Sequence, residues 1–199
     1  MTGEPEATRR RNVAIAGHVG DARAVRAALH DHAPAVRASA LGALERLGAL
    51  TPLEVATALA DPSPAVQRRA CEAAARLPGD GPPSLLGALA SDDPTVVETA
   101  AWACGERQPP EAGVVTRLST LATGHDDALV REAAVAALGS IGDISGLPAI
   151  LAATHDKATV RRRAVIALAP FDGDEVDAAL ARSRDDRDWQ VRQAAEDLS

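Results

Sequence analysis

A chain of 199 residues, 46% hydrophobic and 25% charged, has room for one compact domain or one short repeat array. Its net charge of −7 disfavours wholesale binding to nucleic acid, where neutralisation of phosphates by Lys and Arg supplies most of the affinity. Two cysteines exclude a disulfide framework, and no stretch approaches the roughly 20 apolar residues of a membrane span. Near the N-terminus, Arg9, Arg10 and Arg11 precede an apolar stretch that breaks at His18 and Asp21, too short for the core of a signal peptide. Residues 1–8 are expected to be disordered, and the protein cytoplasmic.

Beyond residue 20 the chain repeats itself. The strings "DHAPAVRASALGALERLG", "DPSPAVQRRACEAAARLPG", "SDDPTVVETAAWACGERQ", "HDDALVREAAVAALGSIG", "HDKATVRRRAVIALAPFD" and "RDDRDWQVRQAAEDLS" align on Val36, Val66, Val96, Val130, Val160 and Val191. Each reads as a helix. Pro34, Pro64 and Pro94 fall in a first turn, where a missing N–H costs nothing, and Ser63 and Asp93 stand as N-caps. The apolar stripe Val36, Ala40, Leu41, Leu44, Leu47 has helical spacing and recurs from Val130 and Val160. Gly48 and Gly142 end their helices. A shorter apolar helix is expected before each string. "TPLEVATALAD" is the clearest, with Thr51 and Glu54 forming a capping box, and "PPSLLGALASD" is another. "GDGPP" at 79–83 reads as a turn. No run alternates with period two, so no sheet is expected.

Two helices in each span of about thirty residues make a stacked helical repeat. The pattern D-x-x-P-x-V-R-x-x-A-x-x-A-L-x-x-L-G resembles the HEAT repeat family, and the short period is similar to its phycobilisome-lyase type. The resemblance implies an all-α, right-handed α-solenoid of about six HEAT-like helical hairpins over residues 9–199, preceded by a short helix. It also implies that the second helices line a concave surface. On a helical wheel the outward row through those helices is Gly42, Glu72, Trp102, Ala136, Ile166 and Asp197. Neighbouring rows add Arg69, Thr99 and Arg163, then Arg46, Arg76, Glu106 and Ser140, with Glu98 and Glu132 at the edge.

The candidate partner-binding set is therefore Trp102, Arg69, Glu72, Arg76, Glu98, Glu106, Glu132, Arg163 and Ile166. Trp102 reads either as a binding anchor, since such anchors favour Trp and Arg, or as a ring folded over neighbouring alanines. Trp189, in "DRDWQVRQ", reads as a packing residue on the preceding helix.

Other chemistry is weighed against structural roles. The pairs His30–Asp31, His125–Asp126 and His155–Asp156 fall in turns between helices, one per repeat, where ligating atoms do not converge on one ion. They read as turns and caps, with no metal and no cofactor expected. The arginine after the valine (Arg37, Arg131, Arg161, Arg192) reads as a rung to acidic turn residues of a neighbouring repeat. Cys71 and Cys104 fall on the apolar stripe. The function expected is a non-catalytic scaffold for a protein or peptide partner, with no nucleic acid and no membrane. The alternatives implied by the resemblance are an accessory subunit of an enzyme, and a catalytic HEAT protein. The latter is either similar to the DNA glycosylases, through Trp102 and Glu106, or to the metal-dependent deoxyhypusine hydroxylase.

Overall fold

The computed structural model describes residues 3–78 and 81–198. Gly79 and Asp80, within the expected "GDGPP" turn, lie outside them. The described residues are helical with no strand. Within the stretch read as one repeat domain, two compact units are distinguished, Met1–Ala88 and Leu89–Ser199.

The first unit contains α1 (Glu6–Val19), α2 (Ala22–Ala27, continued by a 3-10 turn Ala28–His30), α3 (Pro34–Arg46), α4 (Pro52–Leu59) and α5 (Pro64–Arg76). Helix α3 packs on α1 and on α5, while α2 and α4 pack on α3 and α5 as the first members of two hairpins. Val13, Val25, Val36, Ala40 and Leu44 form one buried cluster. The capping box at Thr51 and Glu54 is present, and Gly48 takes a left-handed φ of 62° just past α3. Ser63 occupies the N-cap place of α5 without a side-chain bond; its backbone N–H donates to Asp61 at 2.9 Å instead.

Helix α1 revises two expectations. It begins at Glu6, so residues 6–8 of the stretch expected to be disordered are helical; Glu6 sets an acidic side chain at the positive end of the helix dipole. It is also more than a leading helix. Arg9 donates from Nε and Nη2 to Asp31 at 2.8 and 3.1 Å, as Arg37 of α3 does to Asp61 at 2.8 and 2.7 Å. Arg9 therefore stands at the rung position of a second helix, and α1 keeps the register of α3 and α5.

The second unit contains α6 (Pro94–Gly105), α7 (Val114–Gly124), α8 (Ala128–Ile141), α9 (Leu147–Ala153), α10 (Ala158–Ala167), α11 (Asp174–Arg184) and α12 (Trp189–Glu196). Helices α6, α8, α10 and α12 pack in sequence, with α7, α9 and α11 against them. The alanine-rich stripe lets the second helices come close. A Cβ at Gly105 would stand 3.0 Å from Ala137 Cα, and one at Gly139 would stand 2.7 Å from Ala167 Cα. Asp93 caps α6 as expected, accepting from Thr95 N at 2.9 Å. Gly142 closes α8 with φ 68°.

Two expectations fail locally. "PPSLLGALASD" forms no α-helix, only the 3-10 turn Ala88–Ala90. Pro82 and Pro83 lack N–H donors, Gly81 has φ 103°, and Gly87 adds a weak helix former. Leu85 and Leu89 are still fully buried. Trp189 does not pack away either: it is 65% exposed. It is the first residue of α12, and a helical side chain tilts toward the N-terminus, here past the end of the packed helix.

Candidate functional site

The residues most suited to chemistry are engaged in holding repeats together. Arg131 of α8 donates to both carboxylate oxygens of Asp156 at 2.6 and 2.8 Å, and Arg161 of α10 to both of Asp186 at 2.8 and 2.7 Å. Each also ties its own turn, through His125 O at 2.7 Å and Asp156 O at 2.8 Å. Such fork-to-fork pairs fix distance and orientation together. Arg192 makes only the local half of the pattern among the described residues, to Asp186 O at 2.8 Å. The rung arginine is replaced by Gln67 in α5 and by Val97 in α6, where Val97 is buried.

The aspartates respond accordingly. Hydrogen bonds from Arg9, Arg131 and Arg161 hold the carboxyls of Asp31, Asp156 and Asp186 below the usual range. At Asp61 burial is the largest influence and pulls upward, but the bond from Arg37, the Ser63 N–H and the Arg37 charge together outweigh it. The His–Asp pairs thus serve turns. Asp31 and Asp156 accept from arginines of the preceding repeat, and His125 Nδ1 accepts the N–H of Asp127 at 3.1 Å. Among the described residues no three His, Cys, Asp or Glu side chains are grouped to hold a metal ion. Cys71 and Cys104 are both buried, and burial pushes the Cys104 thiol up to about 12.

The expected partner-binding residues fall into local groups on the second helices. In the first unit Arg69 of α5 bonds Glu45 of α3 and, at 2.5 Å, Glu72; Arg76 reaches Glu45 at 3.5 Å. Arg69, Glu72 and Arg76 are therefore gathered into one network by Glu45, which sequence reasoning passed over. Spacing gave no signal for it, since Glu45 aligns with Ala75 in the repeat register rather than with Arg69 or Arg76. The guanidinium of Arg69 lies over Gly42, where a Cβ would meet Nε and Nη2 at 3.0 Å. Arg10 and Arg11 of α1 were also missed. Once Arg9 is placed on the rung position, they align with Ala38 and Ser39 of α3 and with Arg68 and Arg69 of α5.

In the second unit Glu98, Trp102 and Glu106 stand at successive turns around α6, with Trp102 keeping 37% of its surface. Arg163 of α10 reaches Glu132 of α8 at 3.4 Å. Ile166 is 38% exposed one turn beyond Arg163. Among the described residues no helix is long and apolar enough to cross a membrane.

A family model described as HEAT repeats matches residues 51–114 and 115–198. No curated protein matches the chain by sequence. Among solved structures, the chain is similar in fold to the Escherichia coli protein YibA, at 18% identity and a TM-score of 0.62, covering 98% of this chain and 74% of that one. Human deoxyhypusine hydroxylase in complex with glycerol aligns at 23% identity and a TM-score of 0.49, covering 99% and 80%. An engineered protein aligns at 17% and 0.48, covering 99% and 91%. The matched stretches take in most of the chain, and within them paired helices recur in each compact unit, so the protein belongs to the HEAT repeat family.

Proposed function

We propose that this protein is a non-catalytic scaffold that holds a segment of a protein partner against its second helices. The observation that carries the reading is Trp102. In a chain with two tryptophans and no tyrosine, one occupies a position filled by Gly42, Glu72, Ala136, Ile166 and Asp197 on the other second helices. Part of its ring is open to solvent, between acidic positions one turn away on either side. A large, partly packed aromatic with polar surroundings is the kind of residue that dominates binding energy at interfaces. The non-catalytic half of the reading is supported by where the reactive groups are. Aspartates and a histidine of the turns cap helices and take rungs, and the Cys104 thiol is buried in its protonated form.

The test is affinity capture from the native host's lysate with wild type, Trp102→Ala and Trp189→Ala, after thermal melts show that all three fold. A partner held by wild type and by Trp189→Ala but lost by Trp102→Ala is the expected result. Identical capture by all three would make Trp102 a packing residue and sink the assignment of this face.

A further inference from the structure

The first unit carries a surface that the partner-binding set touches only at Arg69. Helices α1 and α3 approach closely, with a Cβ at Gly17 standing only 2.9 Å from Ala43 Cβ. Beside that contact lies a cavity of about 600 Å³, floored by Ala7, Ala14, Ala38, Ser39 and Gly42 and walled by Arg10, Arg11, Arg46 and Arg69. The walls are not equivalent. Arg69 is neutralised by Glu45 and Glu72. Arg10, Arg11 and Arg46 are exposed and have no carboxylate partner among the described residues. Their placement follows from the repeat register: Arg9 takes the rung to Asp31, and the next two arginines turn onto the face shared with α3.

We propose that this cavity is a docking site for an acidic segment of a polypeptide, whose Asp or Glu carboxylates pair with Arg10, Arg11 and Arg46. Three guanidinium groups around a floor of small side chains present forked donors to carboxylates without a bulky side chain blocking the approach of a backbone. Charge selects the occupant. Residues 1–88 hold ten arginines against nine aspartates and glutamates, whereas residues 89–199 hold eleven basic side chains against nineteen acidic. A nucleic acid fits poorly. The chain carries a net charge of −7, and its three aromatic residues, Trp102, Phe171 and Trp189, all lie beyond residue 88, leaving no Phe, Trp or Tyr in the first unit on which bases could stack.

The inference deepens the scaffold reading and rests on it only for the class of partner. The experiment measures binding of a short labelled peptide alternating glutamate and alanine to the full chain by fluorescence anisotropy. The comparison probes are the same peptide with glutamine for glutamate and a single-stranded oligonucleotide. The glutamate peptide should bind at low salt and be released by added salt. Affinity should fall roughly tenfold for each arginine removed in Arg10→Gln, Arg11→Gln and Arg46→Gln, and stay unchanged in Arg68→Gln, whose guanidinium lies outside the cavity. Absence of binding, equal binding of the glutamine peptide, tighter binding of the oligonucleotide, or indifference to the three substitutions would each overturn the proposal. The two readings fail separately. Loss of captured partners by Trp102→Ala with no acidic-peptide binding removes only this site, whereas peptide binding lost with the arginines but capture indifferent to Trp102 removes only the other.

Discussion

Arg161 shows how much one side chain can do in an array of small residues. The residue is 6% exposed, yet every bond its guanidinium makes is to oxygen: two to Asp186 and one to the Asp156 carbonyl. Arg161→Met would keep the apolar stem and leave Asp186 short of its strongest donor. Chemical denaturation should show a loss of about 2 kcal/mol, the range for hydrogen bonds to charged groups. The glycines give the opposite kind of case, where nothing can be added. Gly139→Ala would gain helix propensity but place a methyl 2.7 Å from Ala167 Cα, a backbone atom. It should destabilise the fold by about 1–3 kcal/mol, the cost of overpacking. Gly124→Ala, with nothing within 4 Å, should be neutral or stabilise by up to about 1 kcal/mol. Equal effects at both glycines would show that the close contact of α8 and α10 does not limit stability.

At the scale of the element, helix ends were easier to place than helix membership. The capping box at Thr51 and Glu54 lies within four consecutive residues, so its hydrogen bonds could be written from the sequence. Thr51→Ala should cost about 1 kcal/mol in a melt, as removal of an N-cap does. "PPSLLGALASD" was harder. Leu85 and Leu89 have helical spacing and are buried, but two prolines and Gly87, with Gly81 just before them, leave too few good helix formers to extend beyond one 3-10 turn. Helix α1 was missed as a repeat member for a different reason. It lacks the anchor valine and proline of the other strings, and its membership rests on the single rung from Arg9 to Asp31.

At the scale of the whole molecule the rungs give a shared pH dependence. The carboxyls of Asp31, Asp61, Asp156 and Asp186 all titrate below their usual range in the folded chain. A carboxyl whose folded value is depressed stabilises the fold fully above its unfolded value, about 3.9 for Asp, and loses that contribution as pH falls toward the folded value. Melting temperature should therefore vary little from these groups between neutral pH and about 5, then fall steeply below about 4. Asp156→Asn with Asp186→Asn should be less stable at neutral pH and lose less on acidification. An unchanged acid limb in that double variant would show that other carboxyls govern the acid transition.

The sequence by itself determined the helical repeat, the burial of its valine–alanine–leucine stripe, most caps and the structural role of the arginines. Each of these is set by spacing along one helix or by the same residue recurring at the repeat period. Only the tertiary structure decided which charges remain available. Arg69 and Arg46 look alike in the string and line the same cavity, yet Arg69 is neutralised by Glu45 and Glu72 over the bare backbone of Gly42, while Arg46 has no carboxylate partner among the described residues. Tertiary packing likewise left Trp189 exposed and kept part of Trp102 open. Pairing and exposure depend on what the neighbouring helix places opposite a side chain, and that distance is not written in the spacing of either helix alone.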